Sequence, residues 1–360
     1  MFKKIESLLR DSPGLKAKTI SSRIGEEKAE VNSFLYSNRD AFFVDDEYCW
    51  YLAELRIEFP AGVWITSKLF EDALAAVESP LTSSCRSVVF VLLKDSKLLL
   101  DAAARLLALC NQLAATGKDV RIDFGSARST RSYLDRLGFF RMLSDDVAVM
   151  PSRPRSSKAE KYHANNDGVV EVASIDPAAP DNGIPGRLQN SFERFAAAKY
   201  HTGIFTVLSE LFNNIYDHSE TRLPAFAALQ VYPNGRMPHV QAVVSDSGRG
   251  ILRSLQPVLN TRYKDLTAKI HASGSHLGVE LVKEIFKKGR ISSNDGDGRG
   301  LGLKTTGDYA LKFNATISVR QDTYEVVVRY AENGKITFSE RLNLHELAGT
   351  HICFDFFLDA

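Results

Sequence analysis

The chain has 360 residues, and its 45 Lys and Arg residues nearly balance 44 Asp and Glu residues, which gives a net charge of +1. With 44% hydrophobic and 25% charged residues, the composition is that of a globular chain and excludes wholesale disorder, a collagen-like fibre and a uniformly basic coat for nucleic acid. No apolar run approaches the roughly 18 residues that cross a bilayer, and the cysteines are scattered without CxxC spacing, so we expect a cytoplasmic protein with no membrane partner, disulfide framework or zinc site.

Residues 1–55 are predicted to form a winged helix-turn-helix domain. Apolar residues at helical spacing indicate three helices, and a Ser-Pro-Gly stretch at residues 12–14 ends the first of them. The second and third helices are predicted over residues 15–24 and 28–36. A β-hairpin over residues 42–51 follows and forms the wing.

The third helix carries the pattern KxxVNxxLY, and Trp50 follows in the hairpin. This combination resembles the Zα-type winged helix that binds left-handed nucleic acid. The resemblance implies that Lys28, Asn32 and Tyr36 line a phosphate backbone and that Trp50 supports Tyr36. The proline pair of such a wing is missing, and over residues 1–40 the positive residues exceed the negative ones by only 8 − 6 = 2. Docking of a protein partner is therefore an open alternative to double-stranded nucleic acid.

Residues 56–150 alternate predicted strands and helices, with strands at 88–93 and 119–124 and helices over 98–116 and 129–137. This βαβα order predicts a small parallel sheet. It resembles a STAS-like domain, the antagonist partner of anti-sigma kinases, although no Asp-Ser phosphorylation site stands out. The resemblance implies a protein partner and an internal switch, and a structural spacer or dimerisation module is the alternative.

A linker is predicted over residues 151–168, which are polar and rich in Pro, Ser, Lys and Arg. Such a composition cannot bury enough apolar surface to pack, so we expect the segment to be exposed and mobile. The remaining block, residues 169–360, carries the motifs that indicate binding or catalysis.

The first motif lies on a helix predicted over residues 203–220, whose apolar stripe includes Phe205 and Phe212. Its opposite face carries Glu210, Asn214, Asp217 and His218. An Asn amide oxygen is a ligand type that Mg²⁺ accepts. A Glu carboxylate one turn away can orient or deprotonate a water. The alternative is an amphipathic helix with a solvated polar face.

The second motif follows a buried strand predicted at residues 240–244, which runs directly into Asp246, Gly248 and Gly250. Glycines let the backbone turn sharply and approach a flat ligand closely. Asp246, at the end of the strand, can accept a hydrogen bond from an exocyclic amine. A plain turn is the alternative.

The third motif is a glycine-rich loop before a helix predicted over residues 304–313. Its glycines are Gly296, Gly298, Gly300 and Gly302. Such a loop offers bare N–H groups and the positive end of the helix dipole to phosphates, and Arg299 and Lys304 add positive charge. The loop matches neither a P-loop nor a Rossmann fingerprint, and a flexible surface loop is the alternative.

In this order, the three motifs ELxxNxxDH, strand-DxGxG and GxGxG-helix resemble the GHKL ATP-binding superfamily over roughly residues 185–360. The resemblance implies an α/β sandwich with a mixed sheet that binds ATP and Mg²⁺, and an ATP lid over residues 251–297. The nucleotide-binding residues that it implies are Asn214, Asp217, Asp246, Gly248, Gly250, Gly298, Arg299, Gly300, Leu301, Gly302 and Thr350. Among them, Asn214 binds the metal, Asp246 reads the adenine amine, and Thr350 helps to fix the adenine.

Within that superfamily, Glu210 favours an ATPase or a serine kinase, because sensor histidine kinases generally carry Asn at this position. The resemblance implies that Glu210 activates the attacking water or hydroxyl. Because phosphoryl transfer depends mainly on positioning and charge stabilisation, we expect Lys304 to be the second catalytic residue. We therefore expect a multidomain α+β protein that acts as a nucleotide-controlled regulator, with ATP hydrolysis coupled to lid closure and to a partner or nucleic acid. The alternatives are an anti-sigma-like serine protein kinase and a non-hydrolysing, ATP-sensing regulator that binds nucleic acid.

Overall fold

The computed structural model describes residues 1–163, 165–175, 183–196, 201, 221, 223–234, 237–288, 315–331 and 335–358. Within these residues the chain forms one three-stranded, one four-stranded, one two-stranded and one seven-stranded sheet. In the same residues, no helix combines the length and the apolar character that a bilayer crossing requires.

The N-terminal block packs three helices against a three-stranded antiparallel sheet. Its elements are α1 (Phe2–Asp11), β1 (Leu15–Lys16), α2 (Ala17–Ile24), α3 (Lys28–Ser37), β2 (Phe42–Val44) and β3 (Cys49–Leu52). Helix α2 ends at Gly25, whose φ of 72° is a left-handed conformation that glycine adopts without steric cost. Ile5, Val31, Leu35 and Trp50 form the centre of the block's apolar core. The predicted three helices and hairpin are therefore present.

The middle block is built around a parallel sheet. Its elements are β4 (Glu54–Phe59), β5 (Trp64–Ile65), α4 (Ser67–Ala75), β6 (Ser87–Leu92), β7 (Lys97–Leu98), α5 (Leu100–Ala115), β8 (Asp119–Asp123), α6 (Arg128–Leu137), α7 (Phe139–Met142) and β9 (Ala148–Met150). Strands β4, β6, β8 and β9 pair in that order, and all three pairings are parallel. The small parallel sheet that the sequence predicts is confirmed, with β4 and β9 as additional outer strands.

The segment after β9 packs against the middle block and includes a short helix, α8 (Lys158–Lys161). The guanidinium group of Arg153 donates hydrogen bonds to four backbone carbonyls between residues 140 and 147. Ala159 is fully buried. The prediction of an exposed, unpacked linker is wrong at these positions, because one arginine can satisfy several carbonyls at the end of a neighbouring helix.

The C-terminal block is a seven-stranded sheet with helices on one face. Its elements are β10 (Val169–Ile175), α9 (Gly183–Phe195), β11 (Ala225–Tyr232), β12 (His239–Asp246), α10 (Gly250–Leu259), α11 (Lys264–Ala272), α12 (Leu277–Lys288), β13 (Ala315–Asp322), β14 (Tyr324–Tyr330), β15 (Ile336–Arg341) and β16 (Leu347–Phe357). The strand order is β10-β11-β12-β16-β13-β14-β15. All the pairings between these strands are antiparallel, so the expectation of a mixed sheet is wrong for the described strands.

Helix α5 of the middle block covers the other face of the seven-stranded sheet. All of its residues from Leu100 to Leu113 are buried, which is the pattern of a helix enclosed on every side. It lies between strand β8 of the parallel sheet and strands β12 and β16 of the antiparallel sheet. One apolar cluster accordingly contains residues from both blocks, including Phe90, Leu109, Phe226 and Cys353. The middle and C-terminal blocks therefore share a hydrophobic core.

Candidate functional site

Asp246 and Thr350 lie side by side on neighbouring strands. Asp246 is the last residue of β12, and the register of the sheet places it directly opposite Thr350 of β16. Because alternate residues of a strand share a face, both side chains lie on the face that packs against helices α10 and α12. Sequence motifs about 100 residues apart thus meet at one point of the sheet.

This pair begins a row of four polar side chains that crosses four adjacent strands. The register places Thr350 opposite Gln321 of β13, and Gln321 opposite Tyr324 of β14. The Tyr324 hydroxyl donates to Gln321 Oε1 at 2.8 Å, and Gln321 Nε2 donates to Thr350 Oγ1 at 2.9 Å. Thr350 in turn donates hydrogen bonds to the Asp246 carboxylate. The row is therefore a directional chain of hydrogen bonds that ends on a carboxylate.

The surroundings of Asp246 bring the pKa of its carboxyl group closer to neutral pH. Burial raises the pKa of Asp246 from 3.8 to about 6, and hydrogen bonds from the Gly248 N–H and from Thr350 act in the opposite direction. The Gly248 N–H lies 2.7 Å from Asp246 Oδ1. At pH 7 the side chain is therefore mainly an ionised acceptor, while still being only 8% exposed. A buried acceptor of this kind suits a ligand that presents an N–H group.

Two glycines allow the backbone to close tightly around the pair. Gly250, at the start of α10, has a φ of 73°, and the N–H of the next residue, Ile251, donates to Gln321 Oε1 at 3.2 Å. Gly349 has a φ of 97°, and a Cβ atom at this position would overlap the backbone carbonyl of Asp246. Only glycine fits this approach between β12 and β16. The sequence motif DxGxG pointed to the first turn, whereas nothing marked Gly349 as a contact with Asp246.

The sequence did not single out Gln321 and Tyr324. Both are buried polar residues within strands, at positions where an apolar residue is usual. Helix α12 approaches Tyr324 at Gly278, where a Cβ atom would lie 2.5 Å from the Tyr324 hydroxyl oxygen. A polar residue that interrupts a strand's apolar face is the signal that was available in the sequence.

The other predicted residues of this site lie outside the described residues. They are Glu210, Asn214, Asp217, Gly298, Arg299, Gly300, Leu301, Gly302 and Lys304. The structure therefore describes the end of the site that contains Asp246, Gly248, Gly250 and Thr350.

A second polar network lies behind Asp246 and Thr350, on the opposite face of the same two strands. Ser245 pairs in register with His351, and its hydroxyl donates to His351 Nδ1 at 2.6 Å. His351 Nε2 lies 3.0 Å from the carbonyl oxygen of Ala348, to which it donates. Burial, and after it the positive charge of Arg320, lower the pKa of His351 to about 3, so the ring is neutral. This serine–histidine pair is enclosed by the protein and supports the strands.

The predicted N-terminal residues form a separate group on α3 and β3. Lys28, Asn32 and Tyr36 are exposed on α3, whereas Trp50 is buried. The Tyr36 and Trp50 rings are 5.0 Å apart at an interplanar angle of 86°, an edge-to-face contact. Arg39 lies 5.5 Å from the centre of the Tyr36 ring and extends the same exposed surface.

Comparison with known proteins identifies the class of the C-terminal block. Residues 199–357 match the family described as histidine kinase-, DNA gyrase B-, and HSP90-like ATPase. The match confirms a GHKL-type domain in this part of the chain and supports an ATP-binding ATPase or kinase. No curated protein and no solved structure matches the chain.

Proposed function

We propose that the protein binds ATP at the site marked by Asp246 and Thr350 and acts as a nucleotide-controlled regulator that hydrolyses ATP. The observation that carries this proposal is the hydrogen-bonded row that ends on the buried Asp246 carboxylate, within a domain of the GHKL family. The 6-amino group of adenine is a hydrogen-bond donor, whereas guanine has an acceptor at that position. An ionised carboxylate whose other bonds are already satisfied selects the donor.

The hydrogen bonds around the Asp246 carboxylate support binding of the adenine end of the nucleotide. Thr350 accepts from Gln321, which leaves its proton directed to Asp246, so the carboxylate is held in one orientation before any ligand arrives. Because Gly250 and Gly349 have no side chains, the space beside the Asp246 carboxylate is not filled. A flat base needs such close approach of backbone, and glycine is the residue that permits it.

Phosphates and metal are assigned to residues outside the described part of the chain. In this proposal Asn214 holds Mg²⁺, Asp217 contributes to nucleotide binding, and residues 298–302 wrap the phosphates with their N–H groups. Glu210 is the base that activates the attacking water, and Lys304 neutralises charge on the transferred phosphoryl group. Bound Mg²⁺ would supply charge neutralisation of the phosphate oxygens.

The partner whose binding the nucleotide controls is proposed to bind at the N-terminal block. The element order α1-β1-α2-α3-β2-β3 supports a winged helix, and the exposed side chains of Lys28, Asn32, Tyr36 and Arg39 support contact with double-stranded nucleic acid. The parallel sheet of the middle block supports a STAS-like module that docks a protein. Closure of residues 251–297 over the nucleotide would then change what these blocks bind.

The test is to measure ATP binding by calorimetry and release of ADP and phosphate for the wild type, Glu210→Ala and Asp246→Ala. We expect wild-type turnover, loss of turnover with retained ATP binding in Glu210→Ala, and loss of stoichiometric binding in Asp246→Ala. Asp119→Ala, at a surface ion pair of the middle block, is the matched control and should behave as the wild type. Undiminished ATP binding by Asp246→Ala would refute the adenine assignment.

The products of ATP turnover distinguish an ATPase from the two alternatives, an ATP sensor and a serine kinase. If the wild type and Glu210→Ala bind ATP equally and neither consumes it, the protein is a non-hydrolysing ATP sensor. If ADP forms without free phosphate and a protein hydroxyl gains phosphate, the domain is a serine kinase. Mass spectrometry of the reaction products separates these outcomes.

A further inference from the structure

Gln112 connects helix α5 of the middle block to both strands of the Asp246–Thr350 pair. Its Nε2 donates to Ser247 Oγ at 2.9 Å and to the carbonyl oxygen of Ala348 at 2.8 Å. Its Oε1 accepts from the backbone N–H of Ala348 at 3.0 Å. The side chain is 5% exposed, so water does not compete for these bonds.

The bonds act on the two positions that flank the adenine-reading residues. Ser247 directly follows Asp246, and Ala348 lies two residues before Thr350. Because Gln112 binds both the N–H and the C=O of Ala348, only one orientation of its amide satisfies every partner. One side chain from another block therefore sets the spacing between the ends of β12 and β16.

Buried bonds to neighbouring elements hold helix α5 in place, and they therefore fix the position from which the Gln112 side chain extends. Arg105, two turns before Gln112, is buried between Glu71 of the middle block and Glu325 of β14. At the start of the helix, the N–H of Leu100 donates a hydrogen bond to the hydroxyl of Tyr232, on strand β11 of the sheet, at 2.9 Å. A shift of α5 relative to the sheet would break these buried bonds together with those of Gln112.

We propose that Gln112 is a positioning residue for the adenine site, through which the middle block sets the nucleotide affinity and base selectivity of the GHKL domain. The proposal rests on the proposed function at Asp246. A buried carboxylate discriminates adenine from guanine only while it is held in place, because it does so by facing position 6 of the base, where adenine has an amino donor and guanine a carbonyl acceptor. Loss of the Gln112 bonds deprives the half-buried Ser247 hydroxyl and Ala348 N–H of this partner, so the ends of β12 and β16 are no longer held at a fixed spacing.

The test compares Gln112→Met with Asn111→Leu. Asn111 is the neighbouring carboxamide on α5 and is equally buried, but it binds Met142 O and Ser144 N inside the middle block. Both variants lose a buried amide from the same helix, and both should lower the melting temperature. Titration with Mg-ATP and Mg-GTP should show that Gln112→Met raises the Kd for ATP about tenfold and narrows the preference for ATP over GTP. Asn111→Leu should leave both quantities at the wild-type values.

Hydrogen exchange of the nucleotide-free protein supplies a second measurement that needs no ligand. In Gln112→Met, the amides of residues 247–251 and 347–351 should exchange at least about tenfold faster than in Asn111→Leu. The positioning role would be overturned if exchange of these amides were unchanged in Gln112→Met. It would also be overturned if the two variants had equal effects on the ratio of the Kd for ATP to the Kd for GTP. If the wild type binds no ATP, the proposed function fails, and the exchange data still decide whether Gln112 fixes residues 247–251 and 347–351.

Discussion

Arg105 of helix α5 and Glu325 of strand β14 form an ion pair that is buried in the contact between the middle block and the seven-stranded sheet. Arg105 also binds Glu71 at 2.7 Å, and Arg341 binds the second oxygen of Glu325 at 2.7 Å through Nε. Burial alone would raise the pKa of Glu325, but the positive charges of Arg105 and Arg341 outweigh it and hold the pKa at about 2. Arg320, which pairs with Glu71, completes the cluster.

Glu325→Gln should lower the free energy of unfolding by about 3–5 kcal/mol, because it leaves buried arginines that share a single carboxylate, that of Glu71. Chemical denaturation measures this. Glu58→Gln, at the exposed ion pair with Arg56, is the control and should change stability by no more than about 0.5 kcal/mol. In the double variant Glu325→Gln/Arg105→Met the loss should be smaller than the sum of the two single losses. Additive losses would show that the pair is not coupled.

Asp246→Asn should change how stability depends on pH. The folded-state pKa of Asp246 is raised to about 6 from 3.8, so the folded protein binds this proton more tightly than the unfolded chain does. The resulting stabilisation is complete below pH 3.8 and is lost as the pH rises through about 6. Between pH 4 and 7 the wild type should therefore lose up to about 3 kcal/mol that Asp246→Asn does not lose. Parallel curves for the two proteins would contradict a raised pKa.

Gly349→Ala should disrupt the site, because the new Cβ would overlap the Asp246 carbonyl. Gly274 provides a matched control, since its φ of 68° is also positive but no atom lies within 4 Å of the place that a Cβ atom would occupy. Gly274→Ala should cost only the conformational strain, about 1 kcal/mol, whereas Gly349→Ala should cost more than about 3 kcal/mol and reduce ATP binding. Equal losses of unfolding free energy would show that β12 and β16 can separate easily at this point.

Lys28→Ala should weaken binding of double-stranded nucleic acid at the N-terminal block to a similar extent for all sequences. If Lys28 contacts a phosphate, the slope of log K against log salt should become shallower by about 1. Lys68→Ala, an exposed lysine of the middle block, should leave affinity and slope unchanged. No measurable binding by the wild type, combined with capture of a protein at the same surface, would favour the docking alternative.

The local elements of the fold follow from patterns in the sequence. The third N-terminal helix, predicted over 28–36, is found at Lys28–Ser37, and the strand predicted at 119–124 is found at Asp119–Asp123. Asp246 is found at the end of a buried strand, as the DxGxG motif indicated. These features depend on residues that are close in the chain, where apolar periodicity and glycine positions are informative.

Contacts between distant segments were not predictable in the same way. The mixed sheet was expected from a resemblance, whereas the described strands pair antiparallel, and pairing direction leaves little mark in the sequence of a buried strand. The sequence predicted a helix over residues 98–116, where α5 is found, but it did not indicate that the helix is enclosed or which surface covers it. The roles of Gln112 and Gln321 depend on strand register and packing between residues that are 29, 70 and 236 positions apart in the chain, so these roles became visible only in three dimensions.

The enclosure of α5 has a consequence for how the chain can be divided. An excised fragment that begins at Val169 would carry the sheet with its reverse surface stripped of α5, and Phe226, Val243 and Cys353 would meet water there. The same cut would take from Glu325 its neutralising partner Arg105. The shortest fragment that keeps both faces of strands β12 and β16 covered therefore begins near Glu54, far upstream of the family boundary at residue 199.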